Sequence, residues 1–423
     1  MSLATLGLSP EILRALKDKS YTTATDIQKE LIPAIFTKRD ILAGAQTGTG
    51  KTAGFALPIL QELSRTHTSQ THYPQALILV PTRELARQVY TSFKDYGKYL
   101  DIKSTVLYGG SNMTAQANRL SMGVDIVVAT SGRLLEHIKQ KNISLDSIEY
   151  LVLDEADTIL DMGFLHEVSQ IIQHLPTRRQ NILISATLTG ALKRLSEEIL
   201  FRPKLIEVDN MGTTANLVTQ LVYPVMLEKK DELLSYLIGS KNYKQVLVFV
   251  RKKQEADRVA KELNDSGLKT VTIHGDKTSG RRERALQDFK NGTARVMVAT
   301  DIAARGLDIP DLGIVINYDI PHVKSDYIHR IGRTGRAGTK GLAIALISPN
   351  EEVALRDLER LLGKAMPKER LEEYAPAKVQ SMHKGGRSSK EKKKIDGAFG
   401  RKNKATPRAS KKRKTTKRDG WKR

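Results

Sequence analysis

The 423-residue chain contains no cysteine, a single tryptophan and no long apolar segment. Without cysteine it can form neither a disulfide nor a thiolate zinc site. No stretch approaches the roughly 18 apolar residues of a membrane-spanning helix, and residues 1–10 lack the positive start and apolar core of a secretory signal. These absences favour a cytoplasmic protein, where thiols stay reduced, with no membrane segment and no structural metal.

Acidic residues are too few to balance the basic ones, and the imbalance lies at one end. The chain carries 69 Lys and Arg against 47 Asp and Glu, a formal net charge of +22. Residues 378–423 hold 19 Lys or Arg against 3 Asp or Glu, which leaves 50 against 44 for residues 1–377. A basic excess of this size favours a nucleic-acid partner.

The basic tail, residues 371–423, has few apolar side chains, so we predict that it is disordered. Two interpretations of it stay open. Its charge can tether RNA, because each neutralised phosphate releases counterions, and Trp421 lies between basic residues and can stack on a base. Alternatively, the tail only keeps the protein soluble.

Short β-rich runs alternate with helical patterns in two successive series, which is typical of α/β domains with parallel sheets. The predicted strands are 41–43, 76–80, 125–129, 150–153 and 181–184, then 245–250, 270–273, 295–299, 314–317 and 342–346. A polar, strand-poor passage separates the series. We therefore predict four segments: an N-terminal domain 1–208, a linker 209–218, a C-terminal domain 219–370 and the tail 371–423.

A glycine-rich loop follows the first predicted strand and precedes a helical pattern. It consists of Ala45, Gln46, Thr47, Gly48, Thr49, Gly50, Lys51 and Thr52. In such a loop backbone N–H groups surround phosphate oxygens, Lys51 reaches the β- and γ-phosphates, and the Thr52 hydroxyl can bind Mg²⁺. A chance glycine-rich turn is the alternative, which the flanking strand and helix disfavour.

A run of carboxylates, Asp154, Glu155 and Asp157, follows the apolar strand 150–153. Asp154 can hold Mg²⁺ and Glu155 can polarise the attacking water. Acidic residues commonly end strands, so this run is weak evidence by itself. Together with the glycine-rich loop it predicts an ATPase.

These and further motifs resemble the DEAD-box RNA helicases over about residues 1–365. The matching motifs are Gln28, Ala45 to Thr52, Pro81 to Ala86, Gly109-Gly110, Thr130 to Arg133, Asp154 to Asp157, Ser185 to Thr187, Ala299 to Asp301, Arg305 to Asp308 and His329 to Arg336. The resemblance implies two tandem RecA-like domains with parallel sheets and an ATP-dependent RNA helicase that unwinds locally, without processive translocation. The compact body and short tail are most similar to the bacterial RhlE-like branch.

The resemblance also implies a role for each matching residue. Asp154 holds Mg²⁺ partly through water, and Arg333 and Arg336 reach the γ-phosphate, with Arg336 as the arginine finger. The Gln28 amide, which both donates and accepts, pairs with adenine, Tyr21 stacks on it, and Asp308 binds the ribose. The implied coupling residues are Asp157, Ser185, Thr187 and His329. The implied RNA-binding residues are Pro81, Thr82, Arg83, Gly109, Gly110, Thr130, Arg133, Arg282 and Thr300.

Two other functions stay open: a DNA-directed motor, and an ATP-gated RNA clamp or scaffold that does little unwinding. Single-stranded and duplex RNA are the expected partners, and pre-ribosomal particles and RNA-decay machinery are both compatible with the sequence. The chain departs from the family pattern at Leu3, Ala24, Ser131 and Ser279. We expect these departures to tune affinity rather than abolish activity.

Overall fold

The computed structural model describes residues 2–45, 49–66, 73–187, 190–208, 218–305, 307, 309, 312–335 and 340–376. The predicted linker lies outside these residues except for Val218, and so does the tail from residue 377 onward. Within the described ranges, no helix combines the length and the apolar character needed to cross a membrane.

The first domain contains seven strands and nine α-helices in its described part. The strands are β1 (Ile41–Gly44), β2 (Ala76–Leu79), β3 (Ser104–Leu107), β4 (Ile126–Ala129), β5 (Tyr150–Leu153), β6 (Gln180–Ser185) and β7 (Lys204–Glu207). The helices are α1 (Pro10–Asp18), α2 (Asp26–Phe36), α3 (Lys51–Thr66), α4 (Arg83–Tyr96), α5 (Met113–Ser121), α6 (Ser131–Lys139), α7 (Ala156–Asp161), α8 (Leu165–Ile172) and α9 (Gly190–Ile199). The strands form one parallel sheet in the order β3-β4-β2-β5-β6-β1-β7.

Both faces of this sheet are apolar, because successive residues of a strand point to opposite sides and helices cover each side. In β5, Val152 packs in one buried cluster, whereas Leu151 and Leu153 pack in the other. This double burial explains why the inner strands are continuous apolar runs in the sequence.

The second domain contains six strands and six α-helices in its described part. The strands are β8 (Val218–Pro224), β9 (Val246–Val250), β10 (Thr270–Ile273), β11 (Val296–Thr300), β12 (Ile314–Asn317) and β13 (Gly341–Ile347). The helices are α10 (Lys230–Ser240), α11 (Lys253–Asp265), α12 (Ser279–Lys290), α13 (Asp301–Ala304), α14 (Lys324–Ile331) and α15 (Glu352–Leu362). These strands also form one parallel sheet, in the order β10-β11-β9-β12-β13-β8.

The packing of the second domain continues beyond residue 370, where the sequence predicts its end. The Tyr374 side chain is buried in the apolar cluster of this domain. Its carbonyl oxygen also accepts a hydrogen bond from the Met226 N–H at 2.9 Å. Residues 371–376 therefore pack with the domain rather than with the predicted tail.

Three strands that the sequence did not predict, β3, β7 and β8, all lie at sheet edges. An edge strand pairs on one side only, so it needs less apolar character than an inner strand. In β7, for example, Lys204 and Glu207 are not buried and only Ile206 is. The predicted α/β class with two parallel sheets is nevertheless confirmed.

The two strand orders correspond position by position. From one side, β3, β4, β2, β5, β6 and β1 of the first sheet match β10, β11, β9, β12, β13 and β8 of the second, and β7 has no counterpart. Loops at the carboxyl ends of parallel strands share one edge of a sheet, which is where ligands bind in such folds. Each domain therefore presents one such edge.

Candidate nucleotide and nucleic-acid site

The carboxyl edge of the first sheet divides into two neighbouring halves. The loops after β5, β6 and β1, three adjacent strands, carry the nucleotide motifs that begin at Asp154, Ser185 and Ala45. The loops after β3, β4 and β2 carry the predicted RNA motifs. The nucleotide half thus lies directly beside the RNA half.

Lys51 is the first residue of α3 and is 6% exposed. Its Nζ donates a hydrogen bond to the carbonyl oxygen of Ala45, at the end of the preceding strand, at 2.9 Å. Thr52 follows it and is half-buried, whereas Gln46, Thr47 and Gly48 lie outside the described residues. The lysine is thus held at the helix N-terminus, where the backbone favours anions.

Gln28 ties the upstream helix α2 to this loop. Its Oε1 accepts from the Thr25 N–H at 3.0 Å, and its Nε2 donates to the Gly50 carbonyl oxygen at 3.1 Å. Gly50 has a φ of +90°, and a Cβ there would lie 2.4 Å from the Gln28 Nε2. The backbone angle therefore favours glycine at this position, and a side chain there would displace the Gln28 amide.

The other predicted adenine residues have different surroundings. Tyr21 is 48% exposed, with its ring 6.4 Å from that of Tyr96. Leu3 and Ala24, two of the departures from the family pattern, are buried. Leu3 packs in the core of the first domain. Asp308 lies outside the described residues.

Asp154 and Glu155 are buried carboxylates, 3% and 6% exposed. Burial raises the pKa of Asp154, and the charge of Lys51 opposes that rise. Burial likewise raises the pKa of Glu155, against the charges of Arg333 and Lys51. Glu155 also has a φ of +51°, a strained angle for a residue with a Cβ. Strain and carboxylate burial coincide here, as they do at functional sites.

Asp157 accepts the most hydrogen bonds among the carboxylates of the tetrad Asp154-Glu155-Ala156-Asp157. Its Oδ2 accepts from the Ala186 N–H at 3.1 Å, the Thr187 N–H at 2.9 Å and the Thr187 hydroxyl at 2.8 Å. Burial would raise the pKa of Asp157, but the positive charge that His329 carries in acid, the charge of Lys51 and these donors hold it below its ordinary value. The Ser185 hydroxyl donates to the Thr187 carbonyl oxygen at 2.8 Å, so it stabilises the turn that presents Thr187.

The second domain approaches the tetrad through α14 and the residues after it. The Nε2 of His329 lies 3.8 Å from the Asp157 Oδ2, and burial lowers the pKa of His329 to about 4, so its imidazole is neutral at pH 7. Arg333 is 4% exposed and donates to the Leu307 carbonyl oxygen at 3.0 Å. Arg336 lies outside the described residues.

Ion pairs that the sequence did not predict join the two domains. Arg305 bonds to Asp326 of its own domain and, at 3.2 Å, to Asp161 of the first. Arg305 belongs to a family motif but had no assigned role, and nothing in the local sequence marks Asp161 as its partner.

A second group of cross-domain pairs joins α4 to α12. Arg282, a predicted RNA-binding residue, pairs with Glu84 at 3.1 Å. Beside it the Arg87 guanidinium forms two 2.5 Å hydrogen bonds to the Glu283 carboxylate. In this arrangement the charge of Arg282 is directed at the first domain.

Three RNA motifs of the first domain meet in space. The Arg83 guanidinium lies against the glycine pair: a Cβ on Gly109 would be 3.5 Å from its Nη2, and one on Gly110 would be 2.2 Å from its Nη1. Gly110 also has a φ of +76°. The Arg133 Nη1 donates to the Ser111 carbonyl oxygen at 3.1 Å. These loops therefore form one surface, made of the two arginine side chains and the backbone of the glycine pair.

The remaining RNA candidates cap helices. The Thr82 hydroxyl accepts from the Leu85 N–H at 3.2 Å at the start of α4, and Pro81 before it is buried. Thr130 and Thr300 precede α6 and α13, at the ends of the corresponding strands β4 and β11. Helix N-termini of this kind suit phosphate contacts. Ser131, another departure from the family pattern, is buried at the first position of α6.

Comparisons with known proteins agree with this architecture. A family model described as DEAD/DEAH box helicase matches residues 25–195, and a helicase conserved C-terminal domain matches residues 228–338. The ATP-dependent RNA helicase DbpA of Bacillus subtilis is 42% identical over 356 residues, 84% of this chain and 74% of that protein. The DEAD-box ATP-dependent RNA helicase RhpA of Helicobacter pylori is 39% identical over 355 residues, 84% of this chain and 71% of that protein.

Solved structures share the fold. Dbp5 of Saccharomyces cerevisiae, bound to RNA and ADP BeF3, superposes with a TM-score of 0.80 at 30% identity, covering 87% of this chain and 95% of that one. Mss116, bound to single-stranded RNA and UDP-BeF, also has a TM-score of 0.80, at 26% identity, covering 89% and 81%.

Two parallel sheets, a buried lysine after a glycine-rich loop and buried carboxylates after β5, at the same edge of the first sheet, are the parts of a helicase-type ATPase. The chain belongs to the DEAD-box ATP-dependent RNA helicases. The RecA-like fold predicted from the sequence is thereby confirmed. The RhlE-like branch stays a prediction.

Proposed function

We propose that this protein hydrolyses ATP in response to RNA and uses the cycle to open short RNA duplexes and remodel ribonucleoproteins without processive translocation. The observation that carries the proposal is the shared edge of the first sheet, where nucleotide and RNA motifs occupy neighbouring halves. Residues of the second domain reach the nucleotide half. Because the two sets of motifs are neighbours, binding or hydrolysis of ATP can affect the binding of RNA.

For ATP, we assign the phosphates to the loop Ala45 to Thr52, with Lys51 as the clamp. Gln28 has one amide hydrogen bonded to Gly50 and its oxygen bonded to Thr25. An amide offers two donors and two acceptor sites, so a second bond in each direction can pair with the adenine edge. Tyr21 supplies the stacking surface and Asp308 the ribose contact.

Mg²⁺ fits the chemistry of this site. Asp154 and Thr52 provide oxygen donors of the kind Mg²⁺ prefers, and Asp154 acts partly through water. Burial raises the pKa of Asp154 and Glu155 despite the charge of Lys51, and a dication bound beside them would favour their ionised forms. When bound, Mg²⁺ neutralises charge on the β- and γ-phosphates.

Hydrolysis requires the second domain. Glu155 orients the attacking water, and Arg333 and Arg336 supply positive charge to the γ-phosphate, a contribution on the order of 10³ to 10⁵ in rate for an arginine finger. Asp157, Ser185, Thr187 and His329 couple the nucleotide to domain closure. Asp157 accepts a hydrogen bond from the Thr187 hydroxyl and lies 3.8 Å from the Nε2 of His329. These two contacts support Asp157 as the centre of this set.

RNA binding uses Pro81, Thr82, Arg83, Gly109, Gly110, Thr130 and Arg133 of the first domain, with Arg282 and Thr300 of the second. Contacts to the phosphate backbone position a strand without reading its bases, so binding is independent of sequence. Opening a few base pairs costs several kcal/mol, judged from about 1.4 kcal/mol per DNA stacking step. Closure onto ATP and RNA supplies this energy, and hydrolysis resets the cleft.

The deciding experiment measures ATP turnover with single-stranded RNA, with DNA and with no nucleic acid, beside release of a labelled short RNA duplex. We expect RNA to stimulate turnover and ATP to release the duplex. Equal turnover with and without RNA would contradict the proposal. Stimulation by DNA with unwinding of long duplexes would instead indicate a DNA-directed motor, and stimulation without duplex release an ATP-gated clamp.

The cellular setting stays a prediction. We propose that the protein acts in the cytoplasm, on pre-ribosomal particles or with the RNA-decay machinery. Association with ribosomal precursors or with nucleases in cell extracts, measured with and without RNase treatment, separates these two settings.

A further inference from the structure

The loop that carries Gly109 and Gly110 is bonded from beneath by a buried glutamine. Gln116, on α5, is 1% exposed. Its Nε2 donates to the Tyr108 carbonyl oxygen at 3.1 Å and to the Ser111 hydroxyl oxygen, and the Ser111 O–H in turn donates to the Tyr108 carbonyl oxygen at 3.1 Å. Gln116 therefore bonds to the residue before the glycine pair and to the residue after it.

A buried histidine fixes the orientation of that amide. His137, on α6, is fully buried, and its Nε2 lies 3.1 Å from the Gln116 Oε1. Its Nδ1 lies 3.2 Å from the Nδ2 of Asn142, which can only donate. Nδ1 is then the acceptor and Nε2 carries the proton. Burial lowers the pKa of His137, which keeps this neutral form.

The hydrogen bonds consequently run in one direction, from Asn142 to His137, from His137 to Gln116, and from Gln116 to Tyr108 and Ser111. If the Gln116 amide turned over, its oxygen would face the Tyr108 carbonyl oxygen and its NH₂ would face the His137 N–H. Both new contacts are repulsive. This hydrogen-bond relay of Asn142, His137 and Gln116 thus favours one orientation of the Gln116 amide, in which the amide bonds to both ends of the loop.

The same loop is bonded from its other side by an RNA candidate. The Arg133 Nη1 donates to the Ser111 carbonyl oxygen at 3.1 Å, and His137 lies one helical turn further along α6. Arg83 lies over the glycine pair. Paired glycines restrict the backbone very little, so the loop conformation must be imposed by its neighbours.

We propose that Gln116 and His137 are positioning residues for RNA binding, which hold the Gly109-Gly110 loop and the two arginines in the arrangement that grips the phosphate backbone. The inference rests on the RNA-binding role proposed above for that loop. Neither residue lies among the DEAD-box motifs named above, and both are too buried to contact RNA themselves. They act by pre-organising the loop, which lowers the cost of ordering it on binding.

The test replaces Gln116 with Glu, which has the same shape and still accepts from His137 but cannot donate to Tyr108. We expect the RNA concentration for half-maximal ATPase stimulation to rise about tenfold, equivalent to ~1.4 kcal/mol. The rate without RNA and the maximal rate should stay within about twofold. Gln170→Glu is the matched control, since Gln170 lies 3.0 Å from His166 on the surface of the same domain.

His137 gives an independent comparison. His137→Leu should raise the RNA concentration for half-maximal ATPase stimulation, as Gln116→Glu does. His137→Gln, whose amide can again donate to Gln116, should bring that concentration most of the way back. A purely structural role would lower the melting temperature of both variants without shifting the RNA half-saturation. That result, or an equal shift in Gln170→Glu, would overturn the proposal.

The remaining outcomes are also decisive. If RNA fails to stimulate the unchanged protein, the proposed function itself fails. If RNA stimulates it and Gln116→Glu needs no more RNA than the unchanged protein, only the positioning role fails. Should the buried variants not fold, Asn142→Ala removes the outermost donor from a half-buried position, and the absence of an approximately twofold rise there contradicts the relay.

Discussion

Lys51 in the first domain and Lys230 in the second occupy corresponding places, each as the first residue of the helix that follows β1 or β8. Each domain also has an aspartate just after the matching strand: Asp154 directly follows β5, and Asp319 lies two residues after β12. Lys230 lies 3.8 Å from Asp319. The second domain thus repeats the lysine and the carboxylate of a phosphate site on the same framework.

The surroundings of the two lysines differ. Lys230 is fully buried, and its Nζ donates to the Glu351 carboxylate at 2.6 Å and to the Tyr318 carbonyl oxygen at 2.7 Å. Within the described ranges, Lys51 bonds to a loop carbonyl and forms no ion pair with a carboxylate. In the second domain a carboxylate of the protein thus binds Lys230, whereas in the first domain a nucleotide phosphate is expected to bind Lys51.

The backbone N–H groups that follow β8 in the second domain are also bonded within the protein. The N–H groups of Val225 and Met226, which follow β8, donate to Ile347 and Tyr374 at 2.9 Å each. They cannot surround a phosphate as a glycine-rich loop does. A shared topology therefore supports an open ligand site in one domain and a closed ion-pair cluster in the other, because the side chains and loops decide function.

The largest expected effect breaks the first site. Lys51→Ala should reduce RNA-stimulated ATP turnover by about 10² to 10³-fold or more, since one preorganised cationic donor is lost from a buried site. Steady-state ATPase assays measure it, with Lys29→Ala on the surface of α2 as the control. Full RNA-stimulated turnover in Lys51→Ala would remove the assignment of this loop.

The matching change in the second domain should affect stability instead. Lys230→Met leaves Glu351 buried without its cation, and we expect the free energy of unfolding to fall by about 3–5 kcal/mol. The basal turnover of the folded fraction should stay within about twofold. Urea unfolding and ATPase assays measure the two effects, and Lys29→Met supplies a surface comparison. A large loss of basal turnover in folded Lys230→Met would show that the two lysines do not differ as described.

A substitution of Glu155 tests whether this buried carboxylate of the nucleotide site lowers the stability of the protein while it supports ATP turnover. Its pKa is raised by burial, so at pH above that pKa the folded state carries an unfavourable charge, and its stability falls as pH rises through the titration. Glu155→Gln removes the charge. We expect about 1 kcal/mol more stability at pH 7, together with turnover about 100-fold slower and retained ATP and RNA binding. Normal turnover would contradict the water-orienting role.

The smallest expected effect comes from removal of the basic tail, which distinguishes its contribution to RNA affinity from that of the two domains. Truncation after Pro376 removes the strongly basic residues 378–423. RNA affinity at low salt should fall about tenfold and depend less steeply on salt, while turnover without RNA is unchanged. RNA titrations at several salt concentrations test this. Unchanged affinity at low salt would favour the solubilising interpretation.

The inner framework of both domains was readable from the sequence. The apolar runs of β5 and β12 are buried on both faces, so their composition alone identifies them. The positions of Lys51 and Asp154 follow from motifs that stand next to such runs. The edge strands β3, β7 and β8 escaped prediction because partial exposure lets polar residues enter them.

Several features of the candidate site could not be predicted. The contact between Arg282 and Glu84, and that between Gln116 and His137, join residues far apart in the chain. The left-handed backbone of Glu155 leaves no trace in residue type. The separate bonding of the Ser185 and Thr187 hydroxyls depends on a turn that only the folded backbone defines.

By itself, the sequence determined the α/β class, the two-domain order and the family, because hydrophobic periodicity and contiguous motifs are local properties of the chain. Tertiary structure alone decided which charges meet across the cleft, which carboxylates are buried, and why one of two matching lysines ends in an internal ion pair. Those outcomes depend on distances and dielectric surroundings between residues that folding brings together.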